Sequence, residues 1–256
     1  IKKIENSDIK PFKLKLDIIF EDKDLLIVNK PSGMVVHPGA ENYKKTLVNG
    51  LIHKYKKNLS DINGDLRPGI VHRIDKETSG LLVVAKNNFS HFKLSKQFSD
   101  HTIQRTYIAL VWGVVRPLRG KIETLISRDK FNRQLMAVSD NSGKKAITNY
   151  KILQVFSNKN LPKISLIEFN LETGRTHQIR VHLSHKGNNI LGDKKYKKRF
   201  KKINKIDADL EDAILLEMAD VYSSAAKHFS VQSCRGCGVG VTTWQSRVQY
   251  FFSPRH

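Results

Sequence analysis

Short apolar runs broken by polar turns set the pattern of this chain, with few long helical stripes. Leu25–Val28 reads as a strand, because a short apolar run bounded by turn signals fits an extended segment better than a helix. Asn29-Lys30-Pro31-Ser32-Gly33 reads as a turn, since Pro presets φ and Gly tolerates positive φ. Met34-Val35-Val36 is then expected to return as the second strand of a hairpin. Thr46 to Tyr55 predicts a short helix, with Leu47, Leu51 and Tyr55 spaced at i, i+4 and i+8. Residues 70–86 read as strand, loop, strand, and Phe89 to Phe98 as a helix capped by Asn88 or Ser90. Further strands are expected at Tyr107–Val111, Ile122–Ile126, Ala146–Leu153 and Ile164–Leu171. The turn Glu172-Thr173-Gly174 leads into a helix from Thr176 to His185, with Thr176 as its N-cap and Gly187 as its stop. Strands dominate without a regular β-α alternation. The expected fold class is therefore α+β, a mostly antiparallel mixed sheet with flanking helices and loops. No internal repeat is visible.

Composition adds a partner class. The chain has 256 residues, enough for one large domain or two small ones. Its formal net charge is +21, which concentrates polyanions near the surface and speeds their encounter. A Lys-rich surface of generic origin produces the same balance. No apolar run approaches the roughly 20 residues needed to span a bilayer, so no membrane role is expected. Ile1 to Asn6 carries no apolar signal core, and the two cysteines fit a reducing cytoplasm. The first residue is Ile rather than Met, so sequence to its left is expected to be missing. Cys234 and Cys237 form a single Cys-x-x-Cys, short of the four ligands of a structural zinc, and no metal is expected.

Three segments could carry chemistry. Gly69-Ile70-Val71-His72-Arg73-Ile74-Asp75-Lys76-Glu77-Thr78-Ser79-Gly80 sets one carboxylate among cations in a glycine-bracketed loop. Arg105-Thr106-Tyr107 opens a strand. Thr173 to Leu183 carries Arg175, His177, Arg180 and His182 across a turn and a helix start, where N–H groups and the dipole favour anions. Each segment has a bland reading: a loop acid capping a backbone N–H, a core tyrosine, a wet helix face. His177 and His182 are five apart and face different sides of a helix, unlike a zinc-binding pair. From 193 to 205, eight of thirteen residues are Lys or Arg, with Tyr196 and Phe200 among them. Such a block is either a solvated loop or a phosphate-contacting arm.

Together these segments resemble a known family. Residues 67–81, from Arg67-Pro68-Gly69 through His72-Arg73-Ile74-Asp75 to Leu81, closely resemble the active-site motif of the RluA/RluD-type pseudouridine synthases. Residues 29–39 look like their first motif, Arg105 to Leu110 their tyrosine motif, and Thr173 to Leu183 their third. Gly192-Asp193 and Tyr196 resemble the segment that follows. The resemblance runs from about residue 17 to 200, and Arg67-Pro68-Gly69 and Gly143-Lys144 look most like the RluD-type branch.

The resemblance implies the pseudouridine synthase catalytic fold and an isomerase that turns uridine into pseudouridine without metal, cofactor or cosubstrate. Asp75 is carried over as the carboxylate acting at the sugar, by attack on C1′ or by taking the C2′ proton. Arg180 resembles the arginine that pairs with it; such a cation favours an ionised acid. Tyr107 resembles the tyrosine that stacks on the target base. Arg73 matches the position that fills the gap left by a flipped nucleotide, a role suited to a planar guanidinium. His72, Arg175, His177, Lys194 and Lys195 are the remaining candidate RNA contacts. The implied partner is RNA, of the 23S ribosomal type or a pre-50S particle, and the implied state a cytoplasmic monomer.

Two departures stand out. Residues 1–16 read as a linker, with the S4 RNA-binding domain of RluD-type enzymes absent or trimmed. Residues 17–206 read as the catalytic domain. Residues 207–256 match nothing expected of the family and read as a divergent, non-native or incomplete tail. Competing readings are a catalytically impaired RNA-binding or ribosome-assembly protein, a tRNA-directed synthase, and a metal-independent RNA-cleaving enzyme using His72 and His177.

Overall fold

The computed structural model describes residues 9–39, 42–157 and 162–196. The expectations for residues 1–8, for most of the basic block at 193–205, for the tail and for Cys234 and Cys237 lie outside the described residues. The chain divides between Ile103 and Gln104 into two compact units. Among the described residues, every strand pair within the two sheets is antiparallel, and no helix is long and apolar enough to cross a membrane.

The first unit is a three-stranded sheet with two helices. Its strands are β1 (Asp17–Glu21), β2 (Leu25–Lys30) and β3 (Gly80–Ala85), in the order β1-β2-β3. The Leu25–Val28 run is the buried centre of β2. Met34–Val36 is not a strand, which corrects the hairpin expected from sequence. Both edges of β2 are already taken, by β1 and β3. The carbonyls of Val35 and Val36 instead accept the Leu47 and Val48 N–H groups at 2.9 and 3.0 Å. Those groups open α1 (Leu47–Tyr55), so the segment serves as a helix seat. Leu47, Leu51 and Tyr55 are buried as their spacing predicts, and Thr46 caps the helix in a capping box with Asn49. Helix α2 (Asn88–Ser99) starts one residue earlier than expected, because Asn87 is the side chain that caps it by accepting the Ser90 N–H.

Gly69 fixes the entry to the Asp75 loop. Its N–H donates to Ser60 O at 2.7 Å, and its carbonyl accepts Ala85 N–H at 2.9 Å. Its φ is +70°, and an added Cβ would lie 2.6 Å from the Ala85 carbonyl oxygen and 2.7 Å from Val84 Cγ1. Left-handed backbone costs a side chain about 1–2 kcal/mol, and overpacking adds about as much. Gly69→Ala is therefore expected to destabilise the chain by about 2 kcal/mol or more, read as a lowered midpoint in urea unfolding.

The second unit holds a five-stranded sheet in the order β4-β8-β7-β5-β6. Its strands are β4 (Thr106–Trp112), β5 (Arg119–Arg128), β6 (Met136–Ser139), β7 (Lys144–Phe156) and β8 (Ile164–Leu171). Alternate residues feed two cores, as the period-two pattern requires. Ala109, Val111, Ile167 and Phe169 pack with Ile179 and Leu183 of α3 (Gln178–Lys186). Ile108, Leu110, Ile164 and Leu166 pack on the other face with Leu191. Helix α3 stops at Gly187, with φ +78°. Gly187 N–H donates to Ser184 O and Asn188 N–H to Leu183 O, the paired bonds of a Schellman cap.

Candidate active site

In the first unit, β2 ends on a lysine that is wholly enclosed: Lys30 is 0% exposed. An enclosed ammonium must find acceptors for its protons. Lys30 Nζ donates to the carbonyls of Pro31 (2.8 Å), Met34 (2.8 Å) and Lys76 (3.0 Å). The first two hold the turn after β2, and the third belongs to the loop that carries Asp75. Gly33 N–H also donates to Lys76 O at 2.9 Å, and Ser32 Oγ to Glu77 O at 2.8 Å. Asp75 is thus flanked by the buried Ile74 and by a stretch clasped from below. Burial lowers the Lys30 pKa to about 8, against the opposing charges of Glu77 and Asp75. A cation under the loop and a carboxylate on it therefore act on each other.

His72 is a buttress of the same loop. Its Nε2 accepts the Val83 N–H at 3.0 Å, and its ring stacks on Phe98 with centroids 4.6 Å apart. Arg73 is exposed and Asp75 half-buried. Of the residues singled out from sequence, His72, Arg73 and Asp75 thus share the first unit, and Tyr107, Arg175, His177, Arg180, Lys194 and Lys195 share the second.

In the second unit, the turn before α3 is held by Gln178. Its Oε1 accepts from Thr173 Oγ1 (2.8 Å) and from Arg175 N–H (2.9 Å). Its Nε2 donates to Ile147 O and Thr148 Oγ1, both at 2.9 Å. All four hydrogen bonds of the amide are made, which pins the turn to β7. The N-cap is His177 in the left-handed region (φ 56°), not Thr176 as expected, and no side chain caps it. Thr176 is exposed, and the Gln178 amide ties Thr173 and Arg175, just before the helix, to β7. Arg175 Nε donates to Lys145 O at 2.9 Å. Tyr107 is half-buried on β4, against the cluster that contains Ile179 of α3.

Arg180 is braced on several sides. Its Nε and Nη2 donate to Asp193 Oδ2 and Oδ1 at 2.7 and 2.9 Å, a bidentate pair with side chains only 8% and 5% exposed. Its guanidinium lies 4.9 Å from the centroid of the Tyr196 ring. Tyr196 Oη accepts Met136 N–H at 3.1 Å and lies 2.8 Å from His177 Nδ1. Burial opposes ionisation of Asp193, but the Arg180 bond and charge, with the Lys195 and Tyr196 N–H groups, hold its carboxyl below its ordinary range. Lys194 and Lys195 are exposed. Lys195, Tyr196, Asp129, Met136 and Val181 line a cleft of about 170 Å³.

Sequence reasoning missed the work of Lys30, Asp193 and Tyr196. The available signals were a lysine closing an apolar run, and an acid opening a block of cations.

His182, one residue after Arg180, is fully buried between Thr124 and Thr148, with both ring nitrogens 2.9 Å from their hydroxyls. Burial first, and His185 second, lower its pKa from 6.5 to about 4. The folded chain therefore binds fewer protons than the unfolded chain between those values, and stability falls as pH drops from 6.5 toward 4. His37 and His91, also lowered by burial, add to the same slope. His182→Gln is expected to flatten it, removing up to about 3 kcal/mol of acid sensitivity, as measured by urea melts across that range.

A model of the RNA pseudouridylate synthase family matches residues 24–185. The chain belongs to this family. The matched stretch holds Lys30, His72, Arg73, Asp75, Tyr107, Arg175, His177 and Arg180; Asp193, Lys194, Lys195 and Tyr196 lie beyond it. Among curated pseudouridine synthases, the chain is 53% identical over 187 residues to ribosomal large subunit pseudouridine synthase D of Zymomonas mobilis, covering 73% of this chain and 57% of that protein. It is 48% identical over 192 residues to the uncharacterized RNA pseudouridine synthase YlyB of Bacillus subtilis, covering 75% and 61%. The chain thus spans less than two thirds of the length of these relatives. The solved structure of human RNA pseudouridylate synthase domain containing 1 matches with a TM-score of 0.58 at 25% identity, over 75% of this chain and 72% of that one.

Proposed function

We propose that this chain isomerises specific uridines to pseudouridine in RNA of the large ribosomal subunit. The observation that carries the reading is the clasped loop. A family whose chemistry needs one carboxylate held still has Asp75 here on a stretch fixed by an enclosed lysine, a glycine amide and a serine hydroxyl. In the reaction the N1–C1′ bond breaks, the base turns, C5 bonds to C1′, C5 gives up its proton and N1 takes one. Atoms balance within the nucleotide, so no cosubstrate enters. Asp75 acts at the sugar, by attack on C1′ or by removing the C2′ proton. Tyr107 supplies the stacking face for the base and assists loss of the C5 proton. Arg180 is the cation of the reaction, with Asp193 and Tyr196 fixing its plane. Arg73 occupies the space the uridine leaves, offsetting part of the few kcal/mol of unstacking.

The ribosomal target is supported by the name of the Zymomonas relative and by the chain's charge of +21. The test is release of ³H from [5-³H]uridine-labelled transcripts. Large-subunit rRNA fragments are expected to release label at stoichiometric levels without any added cofactor. Release from tRNA transcripts alone would move the substrate to tRNA; release from neither would remove the activity.

A further inference from the structure

The seven-residue connection between β5 and β6 reaches the cleft beside Tyr196 at its two ends, Asp129 and Leu135, and carries none of the residues assigned a role in the reaction. It runs from Asp129 to Leu135 between the paired residues Arg128 and Met136. Its conformation is fixed by its own hydrogen bonds. Asp129 Oδ1 accepts the N–H groups of Phe131 (2.9 Å) and Asn132 (2.8 Å). Asn132 Oδ1 accepts Gln134 N–H at 3.0 Å, and Asn132 O accepts Leu135 N–H at 2.9 Å. Asp129 N–H donates to Leu135 O at 3.1 Å, and Arg128 Nη1 to Arg133 O at 2.6 Å. The loop's tip is Phe131, 98% exposed, far more so than any other large hydrophobic residue among those described. Lys130 and Arg133 beside it are exposed, as is Arg128 at the base.

A single exposed apolar residue needs no explanation by itself. Here the loop is ordered by local bonds, yet its one aromatic ring touches nothing that would bury it. In the chain, Lys130 directly precedes it and Arg133 follows two residues on, both exposed. A bare ring flanked by cations matches one ligand chemistry well: an unpaired base for the ring, with its phosphates for the cations. A protein partner would more often meet a broader apolar patch.

We propose that the Asp129–Leu135 loop is an RNA-docking arm on which an unpaired base stacks against Phe131 while Lys130 and Arg133 hold the adjoining phosphates. The proposal rests on the RNA-modifying reading above and extends it to a contact no motif carries. It also gives the loop's fixed shape a purpose, since a preformed platform loses less freedom on binding.

The test uses the full chain carrying Phe131→Trp, titrated with a twelve-nucleotide oligouridine and, separately, with heparin at equal charge. The oligouridine is expected to quench the added indole, read as the difference from the unsubstituted chain; heparin is expected to bind without quenching. Phe131→Ala is expected to weaken oligouridine binding about five- to hundredfold with an unchanged salt slope, whereas Lys130→Ala lowers that slope by about one. The same quenching is expected with Asp75→Asn added, so the arm is tested apart from the chemistry. Equal quenching by heparin, or oligouridine binding by Phe131→Ala within twofold of the parent, would overturn the proposal even if isomerisation is intact.

Discussion

Replacing Asp75 by Asn is expected to lower single-turnover release of the C5 hydrogen by at least about 10²–10⁴-fold, the span over which one positioned acid–base group acts. The melting temperature is expected to hold. Asn keeps the shape of the side chain, and the clasp beneath the loop does not use the carboxylate: Lys30 Nζ and Gly33 N–H bond the Lys76 carbonyl, and Ser32 bonds the Glu77 carbonyl. RNA affinity is also expected to stay within about a factor of two, because phosphate contacts dominate it. An RNA-cleaving enzyme built on His72 and His177 makes the opposite prediction, with Asp75→Asn tolerated. The structure gives those histidines other work. His72 takes the Val83 N–H and stacks on Phe98, and His177 sits beside the Tyr196 hydroxyl.

Asp193→Ala is expected to cost stability and activity together. It leaves the Arg180 guanidinium without the carboxylate that binds both Nε and Nη2. Removing one partner of a buried pair typically costs about 3–5 kcal/mol, because the other charge stays desolvated. For a chain of this size that is a fall of roughly 6–20 °C in melting temperature. The acid also organises the backbone after it, through the Lys195 and Tyr196 N–H groups. In Asp193→Ala the ring that packs on Arg180 is thus expected to shift as well. On the role proposed for Arg180, activity is expected to fall chiefly in kcat, since Asp193 fixes the plane of that guanidinium. Asp193→Asn, which keeps an acceptor of similar shape, is expected to recover part of the stability and less of the rate. Equal thermal midpoints and equal kcat for Asp193→Ala and the parent would refute the bracing role.

Periodicity found the elements whose burial is one-sided or continuous. The Leu47, Leu51 and Tyr55 stripe is a helix with that face buried, and Ile164–Leu171 is β8 with the expected ends. It failed where the chain's partner is distant in sequence. Met34–Val36 looks like a hairpin arm, but β2 pairs instead with β1 and with β3, the latter some fifty residues on. The short strands β1 and β6 were not read from the sequence, although each holds a run of three apolar residues. At the start of α3, a capping rule pointed to Thr176, whereas the turn is fixed by the buried Gln178 amide, whose partners are Thr173, Arg175 and β7. The candidate site shows the same division. Asp75, Tyr107 and Arg180 were proposed from sequence because motifs carry them. Lys30 and Asp193 were quoted within motifs but not assigned, because a lysine's enclosure and an acid's partner are properties of packing, not of spacing.

On the proposed function, a carboxylate held on the Lys30-clasped loop converts uridine to pseudouridine without cutting RNA. The most direct measurement is nucleoside composition after incubating the protein with a large-subunit rRNA transcript, digesting to nucleosides, and separating them by chromatography. Pseudouridine is expected to appear at the expense of uridine, mole for mole, with the undigested RNA at full length and no conversion by Asp75→Asn. Absence of pseudouridine with the parent chain, equal conversion by Asp75→Asn, or shortened RNA would contradict the account.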